Sequence, residues 1–179
     1  RHPWRQALVL GDLLQTVVLR TRPYETVPGS AKALYDTWDI ICQEFLQYSG
    51  YSATLGRSIG YMSLIKKIVR DFDELPLRDI DRKPRVGIVG EILVKFHPDA
   101  NNHVVDVVEA EGCEAVLPGM LQFFLMLLYS AQFQYAVMGI GTTAHHVKNF
   151  ATWLHEQCQG LVAAAPKRPG TYDVPQDGA

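Results

Sequence analysis

The spacing of apolar residues changes character near residue 79, and this change limits what the chain can fold into. Before it, apolar side chains recur three and four positions apart, the period of an α-helix; after it they come in short β-branched runs bounded by glycine and proline. The expectation is an α/β protein. Its parts are a helical N-terminal lobe over residues 1–78, a partial Rossmann-like βαβ layer with flanking helices over 79–165, and a linker or tail over 166–179.

In the first helix Pro3 suits the N1 position, and Trp4, Ala7, Leu8, Gly11, Leu14 and Val18 align along one face. Pro23 disfavours helical geometry at Arg22 and ends it. Ser30 is the expected N-cap of a second helix with the face Leu34, Trp38, Ile41, Phe45 and Tyr48, closed by Gly50. Tyr61, Ile65, Ile68 and Phe72 form the third face, and Leu75-Pro76 stops it.

A charged linker with Arg78, Asp79, Asp81, Arg82 and Lys83 leads into Arg85 to Gly90, a run expected to form a parallel strand buried on both faces. Asn102 is the expected N-cap of a helix carrying Val104, Val105, Val107 and Val108, with Gly112 at its left-handed C′ position. Ala115-Val116-Leu117 then reads as a second strand, stopped by Pro118, and a right-handed crossover is the default for such a unit. Two further helices are expected at about 119–138 and 142–159. The tail holds Pro166, Pro169, Gly170, Pro175 and Gly178 and has no periodic face.

Composition excludes several classes of function. The formal charge of -2 comes from 17 basic and 19 acidic residues scattered along the chain, so no basic stripe tracks a nucleic-acid backbone. Cys42, Cys113 and Cys158 are odd in number and far apart, which suits a reducing, cytoplasmic setting rather than a disulfide framework. The chain starts Arg1-His2-Pro3-Trp4 without a signal-peptide pattern, and its start reads as a cut inside a longer protein. The uncharged stretch 115–144 is interrupted by Pro118, Gln122, Ser130, Gln132, Gln134, Gly139 and Gly141, so a buried core helix is expected rather than a membrane span. The N-terminal helices or a second copy in a homodimer would cover it.

Candidate site residues cluster where an open parallel sheet binds ligands, outside the carboxyl end of a strand: Gly90, Glu91, Lys95, His97, Asn101 and Asn102. Gly87 and Gly90 make only a GxxG, which serves a phosphate loop or tight strand-to-loop packing. Glu91 suits proton transfer or an amide contact, or else the organisation of its own loop. His155 and Cys158 share a helical face that His146 approaches, with His145 beside it. Histidines near helix ends also serve as caps or surface groups, and no metal site is assigned.

From Val86 to Phe124 the chain carries Gly90-Glu91-Ile92, Asn101-Asn102 and Glu109-Ala110-Glu111-Gly112-Cys113-Glu114-Ala115. This segment resembles the dehydratase-type portion of large proteins in which an ATP-dependent activator is joined to a 2-hydroxyacyl-CoA dehydratase-like region. Arg22-Pro23-Tyr24-Glu25 followed by Gly29 resembles the helical stretch that precedes it in those proteins, and the similarity spans Leu13 to Phe124. The resemblance implies a parent protein with an iron–sulfur cluster and ATP as cofactors, and acyl-CoA and the parent's remaining lobes as partners. It also implies that this chain contributes scaffold and cleft surface, or serves as a non-catalytic scaffold or regulatory module that keeps the fold.

A cubane cluster takes about four ligands, usually thiolates. The three cysteines here are widely separated. Anaerobic reconstitution with iron and sulfide is therefore expected to yield no stoichiometric cluster. A stable cluster whose charge-transfer absorption vanished in Cys113→Ser would overturn that expectation.

Overall fold

The computed structural model describes residues 3–124 together with 126, 127, 130 and 137. Mixed helix and sheet is the architecture. Three helices come first: α1 (Pro3–Thr21), α2 (Ser30–Gln47) and α3 (Tyr61–Asp73). A two-residue antiparallel hairpin, β1 (Tyr51–Ser52) with β2 (Arg57–Ser58), joins α2 to α3. After the linker come β3 (Arg85–Gly87), α4 (Ile92–Phe96), a 3₁₀ turn at Pro98–Asn101, α5 (Val104–Ala110) and β4 (Glu114–Val116).

The core is the meeting of the three helices. Leu10, Leu14 and Val17 of α1 pack with Trp38, Ile41 and Phe45 of α2 and with Leu64, Ile65, Ile68 and Phe72 of α3. The buried face of α1 is thus rotated from the expected stripe: Leu14 belongs to both, but Trp4, Ala7 and Gly11 are exposed. Helix α1 carries apolar residues on two adjacent faces, and periodicity by itself does not say which one meets the other helices. Faces of α2 and α3 match expectation at Trp38, Ile41, Phe45, Ile65, Ile68 and Phe72.

Capping differs from the sequence reading. Ser30 is the first residue of α2, and Gly29, at φ 87°, occupies the N-cap. The acceptor is the Glu25 carboxylate, which takes the Gly29 N–H at 2.6 Å, the Ala31 N–H at 2.9 Å and the Ser30 hydroxyl at 3.3 Å. Pro23 fixes the short 3₁₀ turn that precedes Glu25, and this folds the acid back over the helix start. At the other end, Gly50 at φ 103° donates its N–H to Phe45 O at 2.8 Å, closing α2 as its position predicts.

The strands β3 and β4 pair in parallel, with Arg85 opposite Glu114 and Gly87 opposite Val116. The expected strand from Arg85 to Gly90 is shorter, and it is not buried on both faces. All three of its residues are exposed, and Val89 beyond it is 84% exposed. Among the described residues β3 has no second neighbouring strand, while β4, whose Glu114 and Ala115 are buried, is backed by α1. Gly112 takes the left-handed C′ conformation after α5, at φ 81°.

A helical segment starts at residue 120. Leu121 is buried, but Phe124, Met126, Leu127 and Val137 are exposed, which corrects the expectation of a buried core helix for these residues. No helix among the described residues is long and apolar enough to cross a membrane. The expected helix at 142–159, with its histidines and Cys158, and the tail at 166–179 lie outside the described residues.

Because Glu25 rather than Ser30 satisfies the α2 amides, Glu25→Ala should lower unfolding stability by about 0.5–2 kcal/mol, and Ser30→Ala by clearly less. Urea unfolding followed by circular dichroism measures both. A larger loss for Ser30→Ala would reverse the assignment.

Candidate functional site

The ladder between β3 and β4 extends one step, with the Ile88 N–H on Val116 O at 2.8 Å, and the chain then leaves the sheet through Val89 and Gly90, both exposed. Glu91 follows in extended backbone. Its Oε2 accepts the Leu93 N–H at 2.8 Å and the Val94 N–H at 3.1 Å, making Glu91 the N-cap of α4. The connection from Glu91 to Asn101 contains the short helix α4 and the 3₁₀ turn.

Asn101 ties these two pieces to α5. Its side-chain amide donates to Val94 O and Lys95 O, both at 3.1 Å, and its Oδ1 accepts the Val104 N–H at 3.2 Å. The first amide of α5 is therefore capped by Asn101, not by Asn102 as the sequence suggested. Asn102 and His103 instead occupy consecutive left-handed positions, φ 55° and 52°, and turn the chain into α5. Asparagine and histidine tolerate that conformation better than most residues. His103 is flanked by Asp99 at 3.3 Å and Asp106 at 3.7 Å, and His97 is exposed at the end of α4.

Lys95 is buried, with Nζ 4.5 Å from the centre of the Phe96 ring. Its charge reaches Asp12 on α1. That carboxylate accepts the Met120 N–H at 2.8 Å and the Leu121 N–H at 2.7 Å, and so caps the segment that follows β4 from 108 positions earlier in the chain. Burial raises the Asp12 carboxyl above its ordinary 3.8, against the opposing pull of those two amides and of Lys95. Gly119 leaves room for this contact, since a Cβ there would lie 2.5 Å from the Asp12 carboxyl carbon.

Beside this junction opens a cavity of about 1500 Å³. Helix α1 lines it with Trp4, Leu8 and Gly11, which the core does not use, and with Val18, which also packs against the core; Leu117, Leu121, Phe124 and Leu127 line it as well. Phe96 and Val105 bring the crossover connection to its edge. None of Gly90, Glu91, Lys95, His97, Asn101 and Asn102 is among its described lining residues. The six candidates are thus gathered in one connection at the carboxyl end of β3, where Asn101 through both side-chain polar atoms and Glu91 through Oε2 bond to that connection's own backbone.

Several residues of this region escaped the sequence reading. Asp12 gave no local signal, because its partners lie in a segment that only folding brings near. Arg22 was read as a helix end and as part of the Arg22–Glu25 resemblance, yet its Nε meets Glu109 at 2.6 Å and its Nη2 meets Asp106 at 2.9 Å, fastening α5 to the helical core. Cys42 is buried and its thiol is pushed up to about 12, first by burial and then by Asp39, so it behaves as a core side chain. Among the described residues, no group of three or more His, Cys, Asp or Glu is arranged to hold a metal ion.

Asp12→Ala removes both bonds to the segment at residue 120 and should cost about 0.5–2 kcal/mol. Since the folded pKa of Asp12 lies above the unfolded one, its stabilising effect is fullest below pH 3.8 and diminishes as pH rises through the raised value. The loss on Asp12→Ala should therefore be greater in acid than at neutral pH, as read by denaturant unfolding at both. Gly119→Ala should destabilise in the same way by displacing the carboxylate. Equal stability of all three chains would remove Asp12 from this role.

Compared with protein-family models, with curated proteins and with solved structures, the chain has no match. What bears on its function is therefore the placement of its own residues.

Proposed function

We propose that this chain is a scaffold and cleft-forming portion of an ATP-driven electron-transfer or 2-hydroxyacyl-CoA dehydratase-like cytoplasmic protein. In this reading the iron–sulfur cluster and the ATP site belong to other lobes of the parent. The observation that carries it is positional: the connection from Glu91 to Asn102 leaves the carboxyl end of a parallel strand beside an open apolar cavity of about 1500 Å³. Ligands of open α/β sheets bind in that place. The ordered resemblance from Leu13 to Phe124 supplies the chemical class, and the strand–helix–strand unit is read as one part of a Rossmann-like layer. The remaining lobes or a second copy cover the exposed Phe124, Met126 and Leu127, and an acyl-CoA is the ligand class of the cleft.

A second reading, a non-catalytic scaffold or regulatory module, is favoured by one observation. Glu91, through Oε2, and Asn101, through both its amide nitrogen and Oδ1, are engaged as caps of the backbone.

Thermal unfolding with butyryl-CoA separates the two. At tenfold excess over Kd, a ligand that binds only the folded chain stabilises it by about 1.4 kcal/mol, roughly 3–6 °C in Tm for a chain of this size. Such a shift, absent with free butyrate and abolished by Gly11→Leu in the cavity wall, is the expected result. No shift at any soluble concentration would retain the scaffold reading and remove acyl-CoA from the cleft.

A further inference from the structure

At the opposite, amino end of the parallel pair, one buried carboxylate is surrounded by more positive charge than it can neutralise. Glu114 opens β4, and its side chain is 2% exposed. Its Oε2 accepts the Tyr24 hydroxyl at 2.9 Å and stands 3.6 Å from Arg82 Nε; its Oε1 stands 3.1 Å from Arg85 Nε. Arg20, in the last turn of α1, is within Coulombic reach of Glu114, Arg82 and Arg85. The nearby acids Asp106 and Glu109 are already paired with Arg22.

We propose that Arg20, Arg82 and Arg85 form a binding site for a phosphoryl group at the amino ends of β3 and β4. Arg82 and Arg85 stand against one buried carboxylate and Arg20 lies within Coulombic reach of it, a formal excess of two positive charges around Glu114. Both contacting arginines approach Glu114 through Nε, and their terminal nitrogens have no acceptor among the described residues. Those nitrogens form the planar fork that matches phosphate oxygens two at a time. Glu114, itself fixed by Tyr24, orients the forks, and Tyr24 also accepts the Lys83 N–H at 3.1 Å, which holds the linker in place. Burial first, and then repulsion from Arg85, disfavours the charged form of Arg20, against the opposing pull of Glu114. This site does not depend on the proposed function, which concerns the other end of the strands.

The test is an NMR titration of the full chain with inorganic phosphate at low ionic strength, with adenosine monophosphate as a second arm. Saturable shifts at the Arg82–Arg85 and Cys113–Glu114 amides are expected. Arg20→Gln should weaken phosphate binding by about tenfold while leaving the direct partners of Glu114 intact, and Arg82→Gln, which removes one of those partners, should weaken it by a similar factor. Arg57→Gln, on the remote hairpin, should change nothing. Tighter binding of the nucleotide would identify a ligand-borne phosphoryl group, and equal binding the free ion. Absence of saturable shifts, or equal affinity in Arg20→Gln and Arg57→Gln, would overturn the proposal.

Discussion

The two hydrogen bonds from Met120 and Leu121 to the Asp12 carboxylate join parts of the chain 108 and 109 positions apart. They hold the start of the last described helical segment against α1. The same helix buries Leu10, Leu14 and Val17 in the three-helix core and turns Trp4, Leu8, Gly11 and Val18 toward the cavity. Helix α1 is thus shared between two packing problems, and its position decides where the cavity lies. Lys95 brings the crossover connection to the same point, because its buried charge is opposed there by Asp12.

Side chains that satisfy the backbone at the ends of helices recur throughout the fold. Glu25 caps α2, Glu91 caps α4, and Asn101 serves the end of α4 and the start of α5 at once. On the hairpin, Glu44 accepts from Ser52 and Thr54, and these contacts hold its carboxyl below the usual range. Such contacts suit a chain with short elements: α4 has 5 residues and α5 has 7, too few to be stable alone, so their ends must be fixed from outside. The functional candidates Glu91 and Asn101 belong to this set, and for that reason their geometry describes a preformed connection rather than free reactive groups.

Charge is distributed unevenly between the two ends of the strand pair. The carboxyl end carries the short capped helix and the apolar cavity edge at Phe96 and Val105. The amino end carries Glu114 with Arg20, Arg82 and Arg85, and beside it the Arg22 pairs that fasten α5. An apolar organic group fits the chemistry of the first end, and an anion that of the second.

Helix faces around Trp38, Ile41 and Phe45 and around Ile65, Ile68 and Phe72 were legible because burial on one side imposes a period that survives in sequence. The break at Pro23, the closures at Gly50 and Gly112, and the parallel pairing of the run from Arg85 were legible for equally local reasons, since proline and glycine set backbone angles where they stand. The tertiary structure alone decided which of two apolar faces of α1 enters the core, that Glu25 and Asn101 do the capping expected of Ser30 and Asn102, and that Asp12 and Arg22 hold distant segments. Asp12 and Arg22 meet partners 108 and 87 positions away, and a charge carries no periodicity from which such a partner is read; Glu25 and Asn101 act within a few residues, but only once the turns beside them fold each side chain back over the helix start.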